Sequence, residues 1–383
     1  MIAKLFSLLF CTILVTSKAV AQSACADSLM RVEGTWQKRP DANMKSSIPA
    51  SAMQEVNGTT GKILQQLRLA YPKLRGMDAF SYQSMSADLP MKTSVHAYEL
   101  NVLFPAYYCN TNLHKMMRGT ETASWFFAWV NQFHGFARKN DNFIVRSAPV
   151  YLLTPKTGSL NGLTTYAGND NRQSATGTSF STAVLISRKN QSPFIPVSRK
   201  EYLMAFLSTK EKTQQMITGA VTRTALPTEV QETANKKYSL DQVLKQTRAN
   251  PADIEKAKTR FLENYKTPVQ KRTEELDNYE RVYQLQIRAA KDLLNTSTEA
   301  DLLLPAYFTN YQYENDFNAF ASADKGLQMV ILNDAYFNPK LPESTPQFII
   351  LYWQWEKTDA SEKFNDQIVN HFDFSAISQI IDK

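Results

Sequence analysis

From Leu226 to Thr296 the chain runs 71 residues without a glycine, and 24 of them are Lys, Arg, Asp or Glu. A stretch so charged and so regular does not form the middle of a sheet. It folds as helices with one apolar and one solvated face. Leu276, Tyr279, Tyr283, Ile287, Ala290 and Leu294 follow a 3-4-4-3-4 spacing and supply that apolar face for the last of them. Ser239 with Gln242 predicts a capped start for one helix, and Asn250-Pro251 opens a second. Thr267-Pro268 opens a third or kinks the second. A helical hairpin packed on its own domain explains this pattern better than a partner-binding coiled coil.

The flanks have the opposite character. Residues 123–130 (ASWFFAWV) are apolar on both faces, as a strand buried on both sides requires. Residues 143–145, 150–153, 180–186, 326–332 and 347–355 read as further strands. Residues 154–179, rich in Gly, Asn, Ser and Thr, read as a long loop or a pair of polar hairpins. Ile63, Leu67 and Ala70 share a helical face that ends at Pro72. Ser198 and Glu201 form a capping box ahead of Tyr202, Leu203, Phe206 and Leu207, and residues 372–381 predict a closing helix. The expected class is α+β: a mixed or antiparallel sheet with packed helices and a charged helical segment. Its parts are 22–224, the helical 225–296, and 297–383, which either completes the first part or stands beside it.

The N-terminus speaks about address. Residues 1–4 are positively charged, residues 5–15 are apolar, and Ala19-Val20-Ala21 offers small residues to a signal peptidase. Residues 1–21 are therefore expected to be a secretory signal. An apolar run of 11 residues is too short for a span of about 20. The mature chain, 22–383, carries no expected transmembrane segment, and its expected place is the periplasm or the exterior, a position peripheral to the outer membrane included. Lys4 and Lys18 leave with the signal and no acid does, so a formal charge of +7 becomes about +5. The basic doublets are scattered among acids rather than gathered on one stripe, which argues against nucleic acid as a partner. Cys11 also leaves, and Cys25 and Cys109 remain as an even pair in an oxidising compartment. They are the disulfide candidate, and closing so long a loop contributes about 4–5 kcal/mol in the chain-entropy model. Two alternatives compete: a pair of free thiols, or lipidation of Cys25, although Gln22-Ser23-Ala24 lacks the apolar residue a lipobox uses.

Several constellations invite a chemical reading. Residues 177–181 (GTSFS) resemble the Gly-Thr-Ser segment around the nucleophile of subtilisin-like serine proteases. That resemblance implies a His and an Asp to activate Ser179. Here His134-Gly135 is followed by Phe136-Ala137, no matching Asp segment exists, and residues 183–186 read as a strand where the family has a helix. A polar turn entering a strand explains the motif better. The histidines His96, His114, His134 and His371 show no i, i+4 pair; His114, Glu121 and His134 would converge only if residues 114–134 form a hairpin. Glu121 and Glu99 are the first carboxylates to examine for glycoside hydrolysis. Trp125, Phe127 and Trp129 share one strand face, and Trp353 and Trp355 another. Exposed, such rows stack on sugars or peptides; their apolar neighbours argue instead for core. No phosphate loop, dinucleotide fingerprint, Cys-x-x-Cys pair or Ca²⁺ loop is present, so neither cofactor nor metal is expected.

Three segments, residues 34–36 (GTW), 119–122 (GTET) and 193–203 (PFIPVSRKEYL), resemble exported bacterial proteins with no assigned function. The last is a strand exit, a proline-stiffened turn and a capped helix, so the resemblance implies a fold and transfers no catalytic residue. Two functions stay open. One is an exported soluble envelope or periplasmic protein with a binding or structural role, its partner an envelope component, glycan or protein. The other is a secreted hydrolase acting on peptide or glycan through dispersed residues.

Overall fold

The computed structural model describes residues 28–41, 50–85, 95–110, 112–113, 115–120, 124–133, 136–168, 173–174, 177–223, 225–247, 251–309 and 317–383. Residues 1–21, expected to be a secretory signal, and Cys25 fall outside them. The described residues begin with a 3-10 turn (Leu29–Arg31), β1 (Trp36–Lys38), α1 (Ala50–Ala70), β2 (Ala79–Met85) and β3 (Tyr98–Leu103). A small hairpin of β4 (Tyr107–Asn110) and β5 (Lys115–Arg118) leads to β6 (Trp125–Val130), β7 (Ala137–Val145) and β8 (Ala148–Leu153). The polar stretch after them contains β9 (Lys156–Leu160), β10 (Leu163–Ala167) and β11 (Gln173–Ser174), followed by β12 (Gly177–Ile186) and β13 (Phe194–Pro196). Helices α2 (Arg199–Arg223), α3 (Glu229–Gln246), α4 (Pro251–Asn264), α5 (Pro268–Thr296) and α6 (Glu299–Leu303) follow. The chain closes with β14 (Tyr307–Phe308), β15 (Leu327–Leu332), β16 (Ile349–Glu356), α7 (Asp359–His371) and α8 (Phe374–Ser378).

These elements build four layers. The large sheet has the order β1-β2-β3-β6-β16-β12-β10-β9, with β11 beside β12; the second has the order β13-β15-β8-β7, with β14 beside β15. The fold is α+β and the large sheet is mixed: β1 runs parallel to β2, and its other pairs are antiparallel. Period-two alternation assigns the faces. Tyr98, Leu100, Val102, Phe126, Ala128, Val130, Leu351 and Trp353 turn to α1, α7 and α8 and form one core with them. On the opposite face, Trp129, Ile350 and Tyr352 pack against Tyr151, Leu153 and Val330 of the second sheet. The outer side of that sheet buries Val150, Leu152 and Met329 under Tyr202 and Phe206 of α2 and Ala290 of α5. Residues 297–383 supply an internal strand to each sheet, β16 between β6 and β12 and β15 between β13 and β8.

The helical segment follows its apolar spacing with one shifted start. Thr228, not Ser239, caps α3: the Gln231 N–H donates to Thr228 Oγ1 and the Thr228 N–H to Gln231 Oε1. Ser239 lies inside the helix. Thr267 caps α5, a helix about 43 Å long at 1.5 Å per residue, in which Ile287 and Ala290 are buried near the body and Tyr279 is exposed further out. Helices α3 and α4 pack on each other and contain no buried residue. The predicted closing helix over 372–381 is the short α8, preceded by the longer α7, whose Phe364 and Ile368 are buried. Among the described residues, no helix is long and apolar enough to cross a membrane.

Candidate functional site

On β2 and β3 the face opposite α1 lies beyond the apolar cluster that joins the two sheets. Three cross-strand rows run over it. The first holds Phe80, Leu103, Trp125 and Gln354, the second Tyr82, Asn101, Phe127 and Tyr352, and the third Ser84, Glu99, Trp129 and Ile350. Each row begins at β2, and the second and third end at Tyr352 and Ile350, which pack against the second sheet.

A polar hub occupies the third row. Ser84 Oγ donates to Glu99 Oε1, and Asn101 Nδ2 donates to Ser84 Oγ at 2.9 Å. Gln132 Nε2, just beyond β6, donates to the Tyr98 carbonyl at 3.3 Å and lies 3.5 Å from Glu99 Oε2. Ser84, Asn101 and Gln132 are buried while Glu99 is half-buried. Burying such groups is unfavourable unless each finds a partner, and here they partner one another. Glu99 keeps acceptor capacity beyond these contacts, because an ionised carboxylate offers about four lone-pair sites. Burial pushes the Tyr82 phenol above its ordinary value and the Glu99 carboxylate adds to the shift, with Arg39 opposing both. Tyr82 therefore feels both charges.

An aromatic shelf borders the hub. Phe127 stacks on Trp129 with ring centres 5.9 Å apart and on Tyr352 at 6.0 Å, and Trp125 leans on Phe127 at 5.8 Å. Trp125 and Phe127 are half-buried whereas Trp129 and Tyr352 belong to the core. The indole N–H of Trp125 has no acceptor among the described residues.

The far rim carries charge. Arg39 and Arg118 both lie over the Phe80 ring, at 4.2 and 5.0 Å from its centre. Arg118 Nη1 donates to Asp78 Oδ2 at 3.0 Å, and Asp78 also accepts from the Thr35 N–H (2.8 Å) and the Tyr107 hydroxyl (3.2 Å). The Asp78 side chain is only 3% exposed. Burial alone would raise its pKa, but the Thr35 amide, Arg118 and Tyr107 outweigh that and hold it below the usual carboxylate value. The approach of Thr35 depends on Gly34: a Cβ there would stand 1.8 Å from the Met77 carbonyl oxygen.

The other sequence candidates are dispersed. Ser179 lies buried on β12 in register with Glu356. His96 pairs with Glu343 at 3.1 Å and contacts Ser344 Oγ at 3.1 Å, and His371 is the last residue of α7. His114, Glu121 and His134 lie outside the described residues, among which no group of three or more His, Cys, Asp or Glu is placed to hold a metal. Trp353 is core, its indole N–H donating to Asn365 Oδ1 at 3.0 Å, and Trp355 stacks on Phe180. Cys109 stands on β4 across from Met116. Of the candidates, Glu99, Trp125 and Phe127 come together on one face. Ser84, Asn101, Gln132, Arg39 and Arg118 join them without having been singled out in the sequence. The usable signal was the alternation of Glu99 and Asn101 with Tyr98, Leu100 and Val102. No family model, no curated protein and no solved structure matches the chain.

Proposed function

We propose that this chain is an exported envelope protein with a binding role, and that its ligand is a glycan held on the open face of the large sheet. The observation that carries the reading is the Ser84–Glu99–Asn101–Gln132 hub beside half-buried Tyr82 and Phe127. Flat aromatic surface next to fixed planar hydrogen-bonding groups suits a sugar, whose ring stacks while its hydroxyls donate and accept. Extended peptides are recognised largely through main-chain pairing at a sheet edge, and this face presents side chains only. The test is calorimetric titration of chain 22–383 with neutral tetrasaccharides such as chitotetraose and cellotetraose. Saturable binding that Glu99→Gln and Phe127→Ala each weaken at least tenfold supports the reading. Absence of binding, or binding that neither substitution weakens, refutes it.

The hydrolase reading has one observation in its favour, the contact between Ser84 and Glu99. Glycosidases use two carboxyl groups roughly 5–9.5 Å apart. Asp78, a second carboxylate of this face, precedes Ser84 by six residues, roughly 20 Å along an extended chain, and is tied to Arg118. Release of reducing ends from those tetrasaccharides, abolished by Glu99→Gln, would reverse the preference for binding.

Export and the Cys25–Cys109 bridge belong to the same proposal. The bridge is supported by the route of the chain just after Cys25: the Gly76 N–H donates to the Val32 carbonyl, and the Tyr107 N–H at the start of β4 donates to the Gly76 carbonyl. A mature mass starting at Gln22, two units lighter than the fully reduced chain, is the expected result. A lipidated N-terminal Cys25 would exclude both the Gln22 start and the bridge.

A further inference from the structure

We propose that the Phe80 end of this face is an anion subsite, where Arg39 and Arg118 together take the carboxylate of an acidic sugar unit; this rests on the glycan-binding reading above. Both guanidinium groups lie over one ring, at 4.2 and 5.0 Å from its centre, so they stand no more than about 9 Å apart. They are held from different directions. The Arg39 main-chain N–H donates to the Ser81 carbonyl at 2.8 Å, and the residues around it are pinned where the Gln83 N–H donates to Asp41 Oδ1. Arg118 comes from the β4–β5 hairpin and gives Nη1 to Asp78.

Among the described residues the charge count at this end does not close. Asp78 balances Arg118, and Asp41 is paired with Lys38 at 3.1 Å. No ion pair balances Arg39 among the described residues, and Arg39 is exposed. One positive charge beside a second guanidinium, with a planar fork on each, suits a planar anion of carboxylate type. The remainder of the face sets the size of the ligand. From Phe80 to Ser84 is four residues of strand, roughly 13 Å, and Tyr82, which feels both Arg39 and Glu99, lies midway. A carboxylate at the Phe80 end thus leaves room for one or two sugar rings over Tyr82 and Phe127 before hydroxyls reach Glu99.

The experiment titrates chain 22–383 with tetragalacturonate and a hyaluronan tetrasaccharide, with the methyl ester of each, and with tetra-alanine. The expected result is that at least one acid binds tenfold or more tightly than its ester. That preference disappears in Arg39→Gln while the thermal midpoint stays unchanged, and it shrinks as salt is raised. Because Arg118 also anchors Asp78, Arg39→Gln is the deciding variant. Equal affinity for acid and ester, or a preference that survives Arg39→Gln, overturns the subsite but leaves glycan binding standing. Failure of every acidic and neutral saccharide to bind overturns both. Tetra-alanine binding in an Arg39-dependent way, without saccharide binding, overturns the sugar assignment in favour of a peptide carboxylate.

Discussion

Strands β3 and β6 present two faces that differ in kind although their residues alternate one by one. Toward α1, α7 and α8 they offer Tyr98, Leu100, Val102, Phe126, Ala128 and Val130, all buried in one apolar cluster. Away from them they offer Glu99, Asn101, Leu103, Trp125 and Phe127, a mixture of half-buried rings and hydrogen-bonded polar groups. Beyond the contact of Trp129 with the second sheet, this part of the sheet is anchored mainly from its helix-covered side. The helix-covered face supplies the stability, which frees the other face to hold groups that a fold selected only for stability would replace.

That contrast can be broken by substitutions read in urea unfolding. Trp353→Ala, on the helix-covered face, should cost about 3–5 kcal/mol, since it empties a fully buried site and strands Asn365 Oδ1. Phe127→Ala, on the open face, should cost about half as much because the ring is only half-buried. Equal losses would mean that the two faces contribute alike. Asp78→Ala should cost about 2–3 kcal/mol at pH 7, through the loss of contacts to Thr35, Tyr107 and Arg118. Asp78 also predicts an acid limit. Its pKa is lowered on folding, so its contribution is complete above the ordinary carboxylate value of 3.8 and is lost as the pH falls through the lower folded value. Wild-type stability should therefore drop more steeply below pH 4 than that of Asp78→Ala, and parallel curves would remove Asp78 from the account. Glu99→Gln should cost about 1 kcal/mol, having exchanged a charged acceptor for a neutral one. Arg39→Gln, exposed, should change stability by less than about 0.5 kcal/mol. A larger loss would make its stacking on Phe80 structural.

Much of this architecture is legible in the sequence where a local rule decides. The apolar run over 123–130 reads as a strand, and β6 is buried on both sides at Ala128, Trp129 and Val130 while Trp125 and Phe127 are half-buried; the 3-4-4-3-4 spacing of α5 marks the side that reaches the body at Ile287 and Ala290. Capping is legible only up to a choice between equal patterns. Thr228-x-x-Gln231 and Ser239-x-x-Gln242 share one signature, and Pro227 together with Glu229 in the first turn favours the earlier start. Helix α7 lies ahead of the expected closing helix, and its apolar residues Phe364 and Ile368, with Phe372 at its C-cap, recur at intervals of four. The polar hub could not be read at all. Ser84, Glu99 and Gln132 are separated by 15 and 33 residues, and only the register of β2 on β3 and β3 on β6 makes them neighbours.

The position of β16 has a kinetic consequence. Every hydrogen-bonded row of the large sheet that passes from β6 to β12 goes through residues 349–356, so the two halves of that sheet have no junction until nearly the whole chain is present. Pairing partners more than 150 residues apart place folding at the slow end for a chain of this size. A chain cut before Ile349 leaves β6 and β12 as two bare edges, each lined with aromatic and β-branched residues, a template for association rather than for a smaller fold.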